Sequence, residues 1–270
     1  MDYFIHCITT SKLDDGSLLF LCHLLGPKAT ALTQAMALKF CAHHVGLPDS
    51  PSVNDLLDLS LGLFVLKKLD MGRVQLQGQR REFVLGRLVQ QVDAALKSYS
   101  WHEVFGFDKI EDDEDLCDAM VWMSVFEHVG LSAFASRRLG VQQMVLLHRQ
   151  GYVEHQDQRQ WEWTSYLVTH VVYILSDWGT RSAQESCRGE VVYILDNLPR
   201  ALAEEDLELV GEFLYCLRIL NVPLGAAQQA LVLEARDLLM SPMDAIFKST
   251  RVSFYKKYHT AWCVVVGFGE

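Results

Sequence analysis

Trp161–Gly179, WEWTSYLVTHVVYILSDWG, is the stretch whose reading decides the fold. Trp163, Tyr166, His170, Tyr173 and Asp177 follow one another at steps of three, four, three and four, which lines them up along one face of an α-helix. Leu167, Val171, Ile174 and Trp178 make an apolar stripe beside them. An imidazole and a carboxylate set between aromatic rings suit the wall of a pocket. A second reading stays open. His170 is then a satisfied core histidine, and Asp177, just before the helix stop signal Trp178-Gly179, binds backbone near the helix end.

Outward from this helix, nearly every segment carries a helical apolar period, and the punctuation between segments is that of short connections. Ser17–Leu25 is a short apolar helix stopped by Gly26-Pro27, and Ala29–Val45 follows. Ser52 and Asp55 stand at capping-box spacing before the stripe Leu56, Leu59, Leu63 and Leu66. Glu82–Ser98 reads as helix, and Tyr99–Lys109 as an irregular aromatic loop folded over the core or over a pocket mouth. The acids Glu111–Asp115 open the next helix. They invite a magnesium reading, yet acids in a first turn complement the helix dipole, and their spacing matches no metal motif.

Ser132–Gln150, a helix after Gly179, Glu204–Leu220, Ala226–Met240 and Phe254–Phe268 complete the series, and no strand pattern outcompetes helix. Two short echoes, VVYIL at 171 and 191 and HVGL at 44 and 128, suggest hairpins built on one plan. The expectation is an all-α chain, one domain over 1–270, with α-α hairpins arranged as an α/α toroid or an irregular helical-repeat bundle.

Composition narrows the partners. Of 270 residues half are hydrophobic, so a large core is affordable, and 34 acidic against 24 basic residues give a net charge of −10. Without a concentrated positive face, nucleic acid and anionic membrane surfaces are poor partners. The longest uncharged apolar runs are too short to span a bilayer, and Met1–Asp15 has no basic leader, so a soluble cytoplasmic protein is expected. The seven cysteines form no CxxC and suit buried thiols in a reducing compartment. Glycine-rich phosphate loops, dinucleotide fingerprints, nucleophile elbows and HExxH are absent, which removes kinases, Rossmann dehydrogenases and α/β-hydrolases.

The second informative stretch is Tyr255–Phe268, YKKYHTAWCVVVGF. His259 and Cys263 are one helical turn apart, the spacing at which two side chains grip one metal, with Tyr255 and Trp262 on the same side. Tyr258-His259-Thr260, Trp262-Cys263 and Gly267 resemble the segment of the protein prenyltransferase β-subunit whose histidine binds zinc. That family shares the α/α toroid with the squalene and terpenoid cyclases, so the resemblance implies a toroid and a metal role for His259. The family's upstream Asp-x-Cys pair and the cyclases' Asp-x-Asp-Asp have no counterpart here. Any remaining ligands must come from His170, Asp177, Glu212 or Cys216. Thr169–Tyr173 with Ser176–Gly179 is also similar to a motif of uncharacterised all-helical bacterial proteins encoded near natural-product pathways.

Two functions are therefore expected as alternatives. The first is a bacterial natural-product biosynthesis enzyme acting on a hydrophobic or aromatic small molecule in a central pocket. His170, Asp177 and His259 would serve as acid-base groups or, with Glu212 and Cys263, as ligands of zinc, iron or copper. Trp163, Tyr166, Tyr173, Tyr255 and Trp262 would shape that pocket. The second is a non-catalytic helical scaffold that binds a peptide, a partner protein or a small ligand.

Overall fold

A computed structural model describes residues 15–75, 82–152, 157–233, 236 and 254–268, with backbone alone for 15, 27, 28, 75, 82 and 254–258. Among the described residues the chain is all-α apart from one small hairpin of strands. Its contacts divide it into two compact units, within 12–148 and 149–270, and each is described by itself.

In the first unit, α1 (Asp15–Leu24), a 3-10 turn (Gly26–Ala29) and α2 (Thr30–His43) lead to α3 (Val53–Lys68). The expected capping box forms: Ser52 Oγ accepts from the Asp55 amide, and the Asp55 carboxylate accepts from the Ser52 amide. Leu56, Leu59, Leu63, Phe64, Val65 and Leu66 bury α3 almost all round, so it becomes the central helix against which α1, α2, α4 and α6 pack. Asp58, carried inward on α3, accepts from Gly16 N at 2.9 Å and from Ser17 N and Oγ at 2.6 and 2.7 Å, which fixes the start of α1.

Two segments differ from the pattern read in the sequence. Glu82–Val84, assigned above to the start of a helix, instead forms strand β2, which pairs antiparallel with β1 (Arg73–Gln75) in the register Val74 to Phe83. Phe83 is fully buried, and helix α4 begins only at Leu85 and runs to Leu96. Three-residue strands are too short to show a period of two. The aromatic loop also holds a helix, α5 (Trp101–Phe105), started by a second capping box between Ser100 and Glu103. Trp101 packs there with Phe105, Phe107 and Phe134 at ring separations of 4.2–5.9 Å. The acidic run opens α6 (Asp113–Val129) as a dipole complement, with Asp112 capping the amide of Asp115, and α7 (Ala135–Arg149) follows.

The second unit contains α8 (Gln158–Leu175), α9 (Arg188–Ala203), α10 (Leu207–Ile219), a helical stretch at 226–233 and α11 (Phe254–Phe268). The remainder of the expected Ala226–Met240 helix lies outside the described residues, apart from Arg236. Periodicity singles out α8, but the helix at the centre is α10. Every residue from Leu207 to Leu217 is buried, and α8, α9 and α11 all pack on it. Glu190 on α9 is also buried, and it is matched by Arg149 Nε at 2.6 Å and Tyr152 Oη at 3.0 Å.

Candidate functional site

Because α10 is apolar nearly all round, folding carries its two carboxylates, Glu208 and Glu212, one turn apart into the core. What faces them is decided by two glycines. A Cβ on Gly211 would overlap the carbonyl of Cys263, and one on Gly267 would overlap that of Gly211, so α10 and α11 touch backbone to backbone. At that separation His259, Thr260 and Cys263 of α11 reach Glu208 and Glu212. Thr169 of α8 reaches the same group.

His259 lies between the two carboxylates. Its Nδ1 is 3.5 Å from Glu208 Oε2, and its Nε2 is 3.6 Å from Glu212 Oε1 and 3.9 Å from Cys263 Sγ. Each carboxylate is held at its other oxygen by a threonine: Thr260 Oγ1 donates to Glu208 Oε1 and Thr169 Oγ1 to Glu212 Oε2, both at 2.5 Å. Glu212 Oε1 accepts no hydrogen bond, although the residue is fully buried. One ligand atom each from Glu212, His259 and Cys263 lies within 4.8 Å of the others. A buried carboxylate must be compensated by charge or by hydrogen bonds, and a cation at this point would do so for Glu212.

Three of the five expected ligands thus converge, and His170 and Asp177 stand outside that group. His170 Nδ1 is 2.7 Å from the carbonyl of Tyr166, one turn back, so it donates there, and its ring lies against Tyr173 at 5.3 Å. Helix α8 stops at Leu175, before Asp177, which takes a left-handed φ of 50° and accepts at Oδ2 from Thr180 Oγ1 at 2.9 Å. The helical stripe that would have joined the two breaks at Ser176. His170 thus finds its partner within its own helix, and the Asp177 carboxylate takes a threonine hydroxyl just beyond the helix end.

The aromatic residues divide similarly. Trp262 stacks on His259 at 6.0 Å and meets Tyr215 at 5.7 Å. Tyr173 is buried between Trp178 and Tyr215, and burial, followed by the charge of Glu212, raises its phenol pKa well above the usual value. Burial also raises Tyr166, with further contributions from Asp206, Glu212 and Glu208, so it stays a neutral donor near the carboxylates. Trp163 pairs with Tyr166 at 5.8 Å and is half-buried. The side chain of Tyr255 lies outside the described residues.

A cavity of about 300 Å³ adjoins the cluster, because Glu208 and Thr260 belong to its lining along with Glu162, Glu204, Glu205 and Asp206. Thr169 and Thr260 lie inside the two motifs singled out in the sequence, but nothing local gives either a role, and for Glu208 the signal is a pair of glutamates at i, i+4 inside an otherwise apolar helix.

Residues 129–262 match a family described as a domain of unknown function (DUF6895). The chain is similar to that family over just under half its length. The matched region includes α8 to α10 and the cluster residues up to Trp262, and it stops one residue short of Cys263. Neither the curated proteins nor the solved structures yield a match. Among the described residues no helix is long and apolar enough to cross a membrane.

Proposed function

We propose that the chain is a metal-dependent enzyme acting on a small molecule, with Glu212, His259 and Cys263 as the protein ligands. The observation that carries this reading is the convergence of a carboxylate, an imidazole and a thiol with one buried carboxylate oxygen unbonded. In a tetrahedral zinc site, bonds of about 2.0–2.3 Å set neighbouring ligand atoms about 3.3–3.6 Å apart. The 3.6 and 3.9 Å separations around His259 Nε2 are close to that before any ion draws them together. Mixed oxygen, nitrogen and sulfur donors suit zinc, with iron and copper as competitors, and disfavour magnesium. Three protein ligands leave a position for water or substrate, and a metal there supplies Lewis-acid activation.

The chain's own residues supply the rest. Thr169 aims Glu212, Trp262 covers the face of His259, and the adjoining cavity offers a binding place. Its acidic lining suits a polar or cationic small molecule better than the hydrophobic one implied by the aromatic stripe. A role in bacterial natural-product biosynthesis rests on the resemblance of Thr169–Gly179 alone. A cytoplasmic location fits the buried thiols Cys22, Cys41, Cys187 and Cys216. The scaffold alternative is favoured by one feature, the exposed Leu139, Leu146 and Leu147 on α7.

Elemental analysis of the full-length protein, after reconstitution with zinc and removal of excess, tests the reading. The expected result is about one equivalent of metal in the wild type. The metal should be lost in His259→Ala and Cys263→Ser and kept in His170→Ala and Asp177→Ala. A folded wild type that takes up none would sink the metal reading and leave metal-free acid-base catalysis or the scaffold in its place.

A further inference from the structure

Resting on that reading, we propose that Glu208 is a positioning residue for the metal centre: it accepts the Nδ1 proton of His259 and so presents Nε2 to the ion. Nε2 is the ring nitrogen with both Glu212 Oε1 and Cys263 Sγ around it, whereas Nδ1 points to Glu208 Oε2. A neutral imidazole carries one proton, and the nitrogen that keeps it cannot bind metal. A carboxylate facing Nδ1 settles that choice, and a carboxylate behind a ligating histidine also raises its basicity.

Two details fit Glu208 to this part. Its other oxygen is tied to Thr260, the residue next to His259 on the same helix, so carboxylate and imidazole are registered to one backbone. Glu208 is also 95% buried, which strengthens its electrostatic hold on the ring. At 3.5 Å the contact is an ion-pair distance, and an approach of about 0.5 Å brings it into hydrogen-bond range. The two glutamates of α10 therefore have separate tasks: Glu212 binds the ion, and Glu208 orients the histidine that binds it.

The test uses the full chain with Zn²⁺ and Co²⁺ as probes. Glu208→Gln keeps the shape and removes the charge. The expected loss of zinc affinity is about 10–100-fold, with the Cys263 thiolate-to-cobalt absorption band retained. A long-range ¹H–¹⁵N spectrum of the zinc form should place the His259 proton on Nδ1. Unchanged affinity in Glu208→Gln, or a proton on Nε2, overturns the proposal. Loss of all binding overturns it too, since Glu208 would then be a ligand. If Glu208→Gln does not fold, Thr260→Val, which frees the carboxylate, should weaken zinc in the same direction, and no change there overturns the proposal. A wild type that binds neither ion fails at the earlier step, the metal centre itself, and the role of Glu208 falls with it.

Discussion

Gly211 decides the site although it carries no functional group. With its Cβ position already occupied by the Cys263 carbonyl, any side chain must push α11 away from α10. Gly211→Ala is expected to destabilise the protein by about 1–3 kcal/mol, the usual cost of overpacking. It should also weaken metal binding, because Glu212 and His259 separate. Gly140, inside α7 and with open space around its Cβ position, is the control: Gly140→Ala should gain about 0.5–1 kcal/mol. Denaturant unfolding of the two variants gives both numbers, and a neutral Gly211→Ala would mean that the helices are not locked at this contact. The same residues explain what the sequence could and could not reveal. That His259 and Cys263 share a face follows from a spacing of four. That they meet Glu212 and not His170 depends on two glycines fifty-six residues apart, Gly211 and Gly267, whose approach no local pattern encodes.

Elements were legible where local chemistry is self-sufficient. The box at Ser52 and Asp55 follows from its spacing alone, and it forms. The box at Ser100 and Glu103 has the same spacing, but the aromatic residues after it obscured a helix of only five residues. The hairpin of β1 and β2 leaves no local signal because its strands are held by cross-strand bonds and by Phe83, which are non-local. Both caps satisfy otherwise unpaired first-turn amides, so Ser52→Ala and Ser100→Ala should each cost about 1 kcal/mol. Thermal unfolding should show the two losses adding, since the boxes share no residues. If Ser100→Ala costs nothing, the Trp101 cluster holds α5 without help from its cap. The helix α8 ending at Leu175 instead of Gly179 illustrates the same limit: the stop signal was visible, yet the three left-handed residues 177–179 shift the boundary ahead of Asp177.

At the scale of the whole molecule, both compact units bury thiols, and this gives stability a pH dependence. Burial pushes Cys22 and Cys41 in the first unit up to about 12 from 9.0, and Cys187 in the second up to about 11. Cys216 is raised as well, by burial and then by the charge of Glu212. A thiol whose pKa is raised by folding keeps its proton longer in the folded chain than in the unfolded one. Its contribution is complete below the unfolded value, near 9, and is lost as pH climbs from there through the folded value near 12. Under reducing conditions the melting temperature should therefore hold level through pH 8 and fall steadily between about 9 and 12. In parallel, a thiol-specific reagent at pH 8 should leave Cys22, Cys41, Cys187 and Cys216 unlabelled until denaturant is added, because the thiolate is the reactive form and these four are both protonated and buried. A melting temperature level to pH 11, or labelling of those four in the native protein, would mean that water reaches the thiols in the folded state, and the packing around α3 and α10 would then be looser than described.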